Sequence, residues 1–162
     1  MIVSELTAVE VLGLAVTQEV AAYKRYKLFA TRVKNPLVKE KFHSLAREEQ
    51  AHRSMLYDML KAQTGEAKPP LPRKAPRFNK EDDLKMTLPE ILQLAIGKER
   101  EAREFYAEAA KYAKDPSGRR ILEYLSEFER GHERLLQVEY DAIAKYPEWF
   151  DMEGPDIMLV GP

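Results

Sequence analysis

The sequence predicts an all-α fold, a bundle of four helices arranged as two similar hairpins. Its composition favours helices, because Ala, Leu, Glu, Lys and Arg are abundant in the 162 residues. Apolar residues recur at alternating spacings of three and four, which is typical of the buried stripe of a bundle helix. The second half of the chain also repeats the first half at an offset of 80 residues.

The repeat is specific enough to indicate a duplicated unit. Residues 7–62 align with residues 87–142 without a gap, and 16 of the 56 pairs are identical. Unrelated amphipathic helices would share some Leu and Ala by chance. They would not share Glu, Tyr and His in register, as Glu19 with Glu99, Tyr26 with Tyr106 and His52 with His132 do.

Capping signals divide each half into two helices. The phrases Thr7-x-x-Glu10 and Thr87-x-x-Glu90 are capping boxes, and an N-cap residue precedes proline at Asn35-Pro36 and Asp115-Pro116. These signals predict helices over 5–34, 36–63, 87–114 and 116–145.

The connection between the halves is long and rich in proline. A 28-residue helix is about 42 Å long, and residues 64–86 could span roughly 70 Å in an extended polyproline conformation. They can therefore return the chain along the whole bundle. We expect one domain over 1–147, with hairpins 5–63 and 87–145, a crossover over 64–86 and a C-terminal tail over 148–162.

Composition excludes several function classes. The 26 basic and 27 acidic residues nearly cancel, so no basic surface for nucleic acid is predicted. Without cysteine there are no disulfides, thiolate zinc sites or iron–sulfur ligands in this sequence. The first 16 residues lack the pattern of a signal peptide, and no apolar run has the length of a membrane span. We therefore expect a cytoplasmic protein with no membrane partner.

Each predicted stripe is apolar except at its centre. There the four helices carry, in order, Glu19, Glu49 with His52, Glu99, and Glu129 with His132. An uncompensated buried charge costs several kcal/mol, and no Lys or Arg lies on these stripes. Two divalent metals would balance four carboxylates. Oxygen and imidazole ligands suit iron or manganese best, while zinc could displace weakly bound iron. The alternative is a metal-free bundle with a buried polar network.

A third Glu-x-x-His phrase, Glu40-x-x-His43, shows that the phrase alone is weak evidence. His43 precedes His52 by nine residues, which turns it about half a turn away on the helix. We expect it to point away from the core and to bind no metal.

Together these residues resemble the rubrerythrin and ferritin-like di-iron carboxylate proteins, over about residues 5–145. The resemblance implies a ferritin-like four-helix bundle holding two iron ions. It implies that Glu49 and Glu129 bridge both metals, that Glu19 and His52 complete one position, and that Glu99 and His132 complete the other. Tyr26 and Tyr106, each seven residues after a lone Glu, resemble the inner tyrosines that hydrogen-bond to ligand carboxylates. The alternative is that each is a core aromatic residue.

Three functions are open. The first is a rubrerythrin-like peroxidase that reduces H₂O₂ or O₂ in oxidative-stress defence, with electrons from an external donor such as a rubredoxin-type protein. The second is a ferroxidase that stores iron in a ferritin-type cage. The third is a non-catalytic bundle that binds metal or another protein. Many rubrerythrins have an extra carboxylate where this sequence has Ala102, whose repeat mate is Ala22, so the ligand set is nearly symmetric.

The apolar segment 157–160 in the tail has three candidate positions: on the bundle, on a second subunit, or on another protein as a docking peptide. Because the family commonly dimerises, we expect a homodimer with this segment at the contact.

Overall fold

A computed structural model describes residues 3–72 and 85–151 of the chain. Within these stretches it contains helices and no β-strand, which confirms the all-α prediction. The helices are α1 (Ala8–Arg32), α2 (Pro36–Thr64), α3 (Leu88–Tyr112) and α4 (Pro116–Lys145). Short 3-10 helices cover Val3–Glu5 and Pro147–Phe150.

The predicted capping signals set the helix ends. The Thr7 hydroxyl accepts from the Glu10 backbone N–H at 3.2 Å, and the Glu10 carboxylate accepts from the Thr7 N–H at 2.8 Å. Thr87 and Glu90 make the same reciprocal pair. Helix α1 therefore begins at Ala8 and not near residue 5, because Thr7 is its N-cap and has extended backbone angles.

Gly65 ends α2. Its φ is +72°, in the left-handed region that glycine adopts without a steric cost. Its N–H donates to the carbonyl of Lys61 at 2.8 Å, which satisfies one of the last carbonyls of the helix.

Two apolar clusters show how the helices run. The helices contribute, in chain order, Phe29, Phe42, Leu92 and Leu136 to the first cluster, and Leu12, Leu56, Ala109 and Leu122 to the second. Helix α2 therefore ends in the second cluster, while α3 begins in the first, so the two helices run parallel. The connection must return the chain along the bundle, as expected for the ferritin-like topology. Residues 73–84 of that crossover lie outside the described residues.

Some residues that follow the three- and four-residue spacing of the stripes are only half-buried: Ala22 on α1, Met59 on α2, Ala102 on α3 and Ala113 at the C-terminal cap of α3. On α2, Leu60 is fully buried while Met59 packs at the margin of the second cluster. Ala22 and Ala102 are half-buried because both line a cavity, described below.

The start of the tail packs on the bundle. The carbonyl of Phe150 accepts from the backbone N–H groups of Lys34 and Asn35, each at 2.9 Å. The carboxylate of Glu139, which is 1% exposed, accepts from Lys41 and from the indole N–H of Trp149. These contacts fix the tail against the turn between α1 and α2 as far as Phe150. The apolar segment 157–160 lies outside the described residues, and the homodimer stays a prediction.

We expect Phe150→Ala to destabilise the protein by about 3–5 kcal/mol, since it removes a fully buried aromatic ring from the first cluster. Chemical denaturation monitored by circular dichroism measures the change. Val138→Ala is the control, because Val138 is exposed. Equal stability of Phe150→Ala and the unsubstituted protein would show that this docking contributes little.

Along the described part of the chain, no helix combines the length and hydrophobicity needed to cross a bilayer. The cytoplasmic location stays a prediction.

Candidate metal centre

The six predicted ligands lie together in the middle of the bundle, between the two apolar clusters. Each is buried, with no more than 4% of its surface exposed. Glu19 is on α1, Glu49 and His52 on α2, Glu99 on α3, and Glu129 and His132 on α4. The three-residue spacing in Glu-x-x-His places both side chains on one helix face, so α2 and α4 each present a pair.

The six residues form two overlapping groups. The first contains Glu19, Glu49, His52 and Glu129, and the second contains Glu49, Glu99, Glu129 and His132. In each group, one candidate ligand atom from every residue lies within 4.8 Å of the others. Only Glu49 and Glu129 belong to both groups.

The oxygens of these two shared carboxylates point to different histidines. For Glu49, Oε2 is 3.4 Å from Nδ1 of His52 and Oε1 is 3.2 Å from Nδ1 of His132. For Glu129, Oε1 is 3.3 Å from His52 and Oε2 is 2.8 Å from His132. This arrangement suits two bridging carboxylates, one oxygen to each metal position, as the family resemblance implies.

Several atoms of this cluster that could coordinate a metal have no hydrogen-bond partner in the described part of the chain. They are both carboxylate oxygens of Glu49, one oxygen each of Glu19 and Glu129, and Nδ1 of His52. A buried polar atom without a partner costs about 1–3 kcal/mol, and a charged one costs more. Two divalent cations would satisfy these atoms and balance the carboxylates. The donor set therefore fits a pair of metals with oxygen and nitrogen ligands.

Burial and mutual repulsion also shift the pKa values of carboxylates in this cluster when no metal is bound. Burial raises the pKa of Glu49 well above its ordinary value, and repulsion from Glu19 and Glu99 adds to the effect. Burial also raises the pKa of Glu99 to about 8. Burial acts in the same direction on Glu129, but the hydrogen bond with His132 and the nearby imidazole of His52 outweigh it and lower the pKa to about 2.

Metal binding is expected to release protons. Burial opposes protonation of His52, but the close carboxylates of Glu129 and Glu19 outweigh it and raise the pKa to about 12. Since this pKa lies above the ordinary value, the metal-free imidazole holds its second proton at neutral pH. Coordination requires the neutral ring, so the proton must leave. Metal affinity should rise from pH 6 to 8. Chelator competition together with a pH-indicator dye measures both effects, and an affinity independent of pH would contradict the prediction.

The two inner tyrosines connect the hairpins through the carboxylates. The Tyr26 hydroxyl on α1 donates to Oε1 of Glu99 on α3, and the Tyr106 hydroxyl on α3 donates to Oε1 of Glu19 on α1. Burial and the neighbouring carboxylates raise the pKa of both tyrosines well above the ordinary value, so both hydroxyls keep their protons. Each tyrosine therefore fixes one oxygen of a lone Glu.

A cavity of about 190 Å³ adjoins the cluster on the side of α1 and α3. It reaches Glu19, Glu49, Glu99 and Glu129, and Ala22 and Ala102 line it one turn beyond the lone glutamates. Gln18, Arg25 and Lys98 line it as well. Small molecules thus have a space beside the carboxylates.

Sequence reasoning missed Glu48. Its Oε2 lies 2.8 Å from Nε2 of His132, on the opposite hairpin. This hydrogen bond lowers the pKa of Glu48, so the carboxylate accepts and the ring N–H donates. The repeat contained a signal for Glu48. The matching position in the second half is Phe128, so this acidic residue is not part of the duplicated pattern. His43, in contrast, belongs to neither metal-ligand group.

The comparisons with known proteins agree with this geometry. A family model for rubrerythrin matches residues 10–140. The solved structure of a hypothetical protein from Pyrococcus furiosus has a TM-score of 0.77 and 26% identity, covering 88% of this chain and 94% of its own. No functionally curated protein matches the sequence. This family match covers most of the chain, and the helices of the bundle bring two Glu-x-x-His pairs together at its centre. The chain therefore belongs to the rubrerythrin family.

Proposed function

We propose that this protein is a di-iron peroxide reductase that removes H₂O₂ in defence against oxidative stress. The observation that carries the proposal is the buried cluster of four carboxylates and two imidazoles, with unpartnered donor atoms at its centre. The adjoining cavity supports it, since a small oxidant needs access to such a cluster.

Each residue of the cluster has a role in this proposal. Glu49 and Glu129 would bridge the two irons. Glu19 with His52, and Glu99 with His132, would complete the two positions. When bound, reduced iron supplies the two electrons that, with two protons, convert H₂O₂ to two molecules of water. The Tyr26 and Tyr106 hydroxyls would hold the lone glutamates in place and keep their own protons.

In this proposal the oxidant reaches the metal centre through the cavity. Ala22 and Ala102 leave it open, where a longer side chain would fill it. Apart from Glu49 and Glu129, the side chains that line it belong to α1 and α3, whereas the two histidines come from α2 and α4. The oxidant would therefore enter from the side of the lone glutamates.

Electrons must reach the centre from elsewhere. Because these 162 residues contain no cysteine, they cannot supply the four-cysteine iron site that donates electrons in many rubrerythrins. We propose a separate donor, such as a rubredoxin-type protein.

The second candidate function is a ferroxidase of the ferritin type. The near-symmetric ligand set favours it, because Ala22 and Ala102 occupy matching positions and neither half has an extra carboxylate. Native mass separates the two functions. A storage cage has a mass of hundreds of kilodaltons, whereas a dimer of this 18.7 kDa chain is below 40 kDa.

Reoxidation kinetics test the proposal. The protein is loaded without oxygen with two Fe²⁺ per chain and mixed with H₂O₂ or with O₂, and the absorbance of the oxidised centre is followed. We expect the reaction with H₂O₂ to be much faster. His43→Ala is the control and should behave as the unsubstituted protein.

Two outcomes would contradict peroxide reduction. Faster reaction with O₂, followed by uptake of iron beyond two per chain, would indicate a ferroxidase. A protein that binds no transition metal on reconstitution would exclude both redox functions and favour an interaction bundle.

A further inference from the structure

The two halves of the metal centre differ behind their histidines. The 80-residue repeat matches Ser44 with Tyr124 and Glu48 with Phe128. The first pair lies eight residues before His52 and His132, and the second pair lies four residues before them, on α2 and α4. The ligands are duplicated, but the residues that support them are not.

Behind His132 the surroundings are polar. Its Nδ1 faces the shared carboxylates, 2.8 Å from Glu129, while the N–H at Nε2 donates to Glu48 at 2.8 Å. The other oxygen of Glu48 accepts from the Ser44 hydroxyl at 3.2 Å. Glu48 is thus oriented by its own helix, and it fixes the tautomer in which Nδ1 is free to bind a metal.

Behind His52 the surroundings are aromatic. The Phe128 ring lies perpendicular to the imidazole, with centroids 5.0 Å apart, and Tyr124 packs against Phe128 at 5.0 Å. The Phe128 ring reaches across from α4 to α2, just as Glu48 reaches across from α2 to α4. It contributes no carboxylate to accept a proton from His52.

This difference changes how strongly each ring donates to a metal. A carboxylate that accepts the distal N–H of an imidazole increases the basicity of the nitrogen at the metal and fixes the ring orientation. Removing such a partner typically lowers metal affinity by about 10–100-fold. Since the Glu48 side chain is 40% exposed, water weakens its influence, and we expect the lower end of that range.

We propose that the two metal positions are unequal, that the position of Glu99 and His132 binds its metal more tightly than that of Glu19 and His52, and that Glu48 is the positioning residue responsible. The inference rests on the pair of metals in the proposed function. It does not depend on peroxide being the substrate. At limiting metal, the protein would carry a single ion, held on the His132 side.

A stepwise Co²⁺ titration of the full-length, metal-free protein tests the inference. Co²⁺ is used because it suits nitrogen and oxygen ligands and reports its coordination in visible absorbance. Competition with a chelator of known affinity gives the two binding constants. We expect two steps separated by about tenfold or more.

Three variants identify the cause. Glu48→Gln should weaken the tighter step by about tenfold and leave the weaker one nearly unchanged. Glu40→Gln is the matched control, because it makes the same charge change on an exposed part of α2 and should alter neither step. Phe128→Glu places a carboxylate near His52 and should strengthen the weaker step. If Phe128→Glu does not fold, the Co²⁺ titration of Glu48→Gln tests the inference without it.

Equal affinities in the unsubstituted protein, or a Glu48→Gln titration that matches it, would overturn the inference and leave the metal centre intact. Absence of any Co²⁺ binding would overturn the metal centre itself, and the inference with it. Failure of peroxide reduction would appear only in the reoxidation kinetics, since the Co²⁺ titration involves no turnover.

Discussion

Glu129→Ala is expected to lose both metals, although it removes one side chain. Each oxygen of Glu129 faces a different histidine, at 3.3 and 2.8 Å, so the residue contributes to both positions. Glu19→Ala should lose only one metal, because Glu19 belongs to one ligand group. The measurement is metal per chain after reconstitution and desalting, by inductively coupled plasma mass spectrometry.

His43→Ala is the control. It removes a histidine that belongs to a Glu-x-x-His phrase but lies outside the cluster, so it should keep both metals. Full metal retention by Glu129→Ala would overturn the ligand assignment. Loss of only one metal would show that Glu129 does not bridge.

The second large effect is on thermal stability, and we expect it to differ between the metal-free and the metal-bound protein. Glu49→Leu should raise the melting temperature of the metal-free protein, because Glu49 is 1% exposed and neither of its oxygens has a hydrogen-bond partner among the described residues. Replacing buried ionic groups with apolar ones of similar volume is often neutral or stabilises a protein by about 1–4 kcal/mol. For a chain of this size, each kcal/mol corresponds to about 2–4 °C.

The same variant should lose the stabilisation that metal gives. A ligand present at a hundredfold excess over its Kd stabilises the folded state by about 2.7 kcal/mol. The unsubstituted protein should therefore melt at a higher temperature with metal than with chelator, and Glu49→Leu should melt at the same temperature in both. Differential scanning calorimetry measures all four conditions.

Glu123→Leu is the control, since Glu123 is exposed on α4 and should change little with or without metal. A metal-free Glu49→Leu variant that melts below the unsubstituted protein would show that the buried glutamate does not destabilise the metal-free protein. The stability of this bundle would then not depend on its metals in the way proposed.

Much of the fold could be predicted because its signals are local in sequence. Thr7 with Glu10, and Thr87 with Glu90, satisfy the first N–H groups of their helices within one turn. The six candidate ligands were also predictable, because the buried stripe of a helix follows a fixed spacing and a charged residue on that stripe is conspicuous. The duplication added a second copy of each signal.

The features that could not be predicted depend on packing between hairpins. Glu48 contacts His132 across 84 residues of sequence, and it lies beside the buried stripe of α2. The open cavity at Ala22 and Ala102 depends on how far α1 stands from α3, which spacing along one helix does not determine. Burial of Phe150 follows from the return of the chain to the turn between α1 and α2.

Anomalous diffraction at the iron edge, from crystals loaded with Fe²⁺ without oxygen, would locate the metals and their ligands. We expect two peaks per chain in the middle of the bundle, about 3.5–4 Å apart as in other two-metal sites. Both should contact Glu49 and Glu129, one should also contact Glu19 and His52, and the other Glu99 and His132. A chain with no peak between α2 and α4, or with iron only at an outer site such as His43, would show that these six residues do not form a two-metal centre.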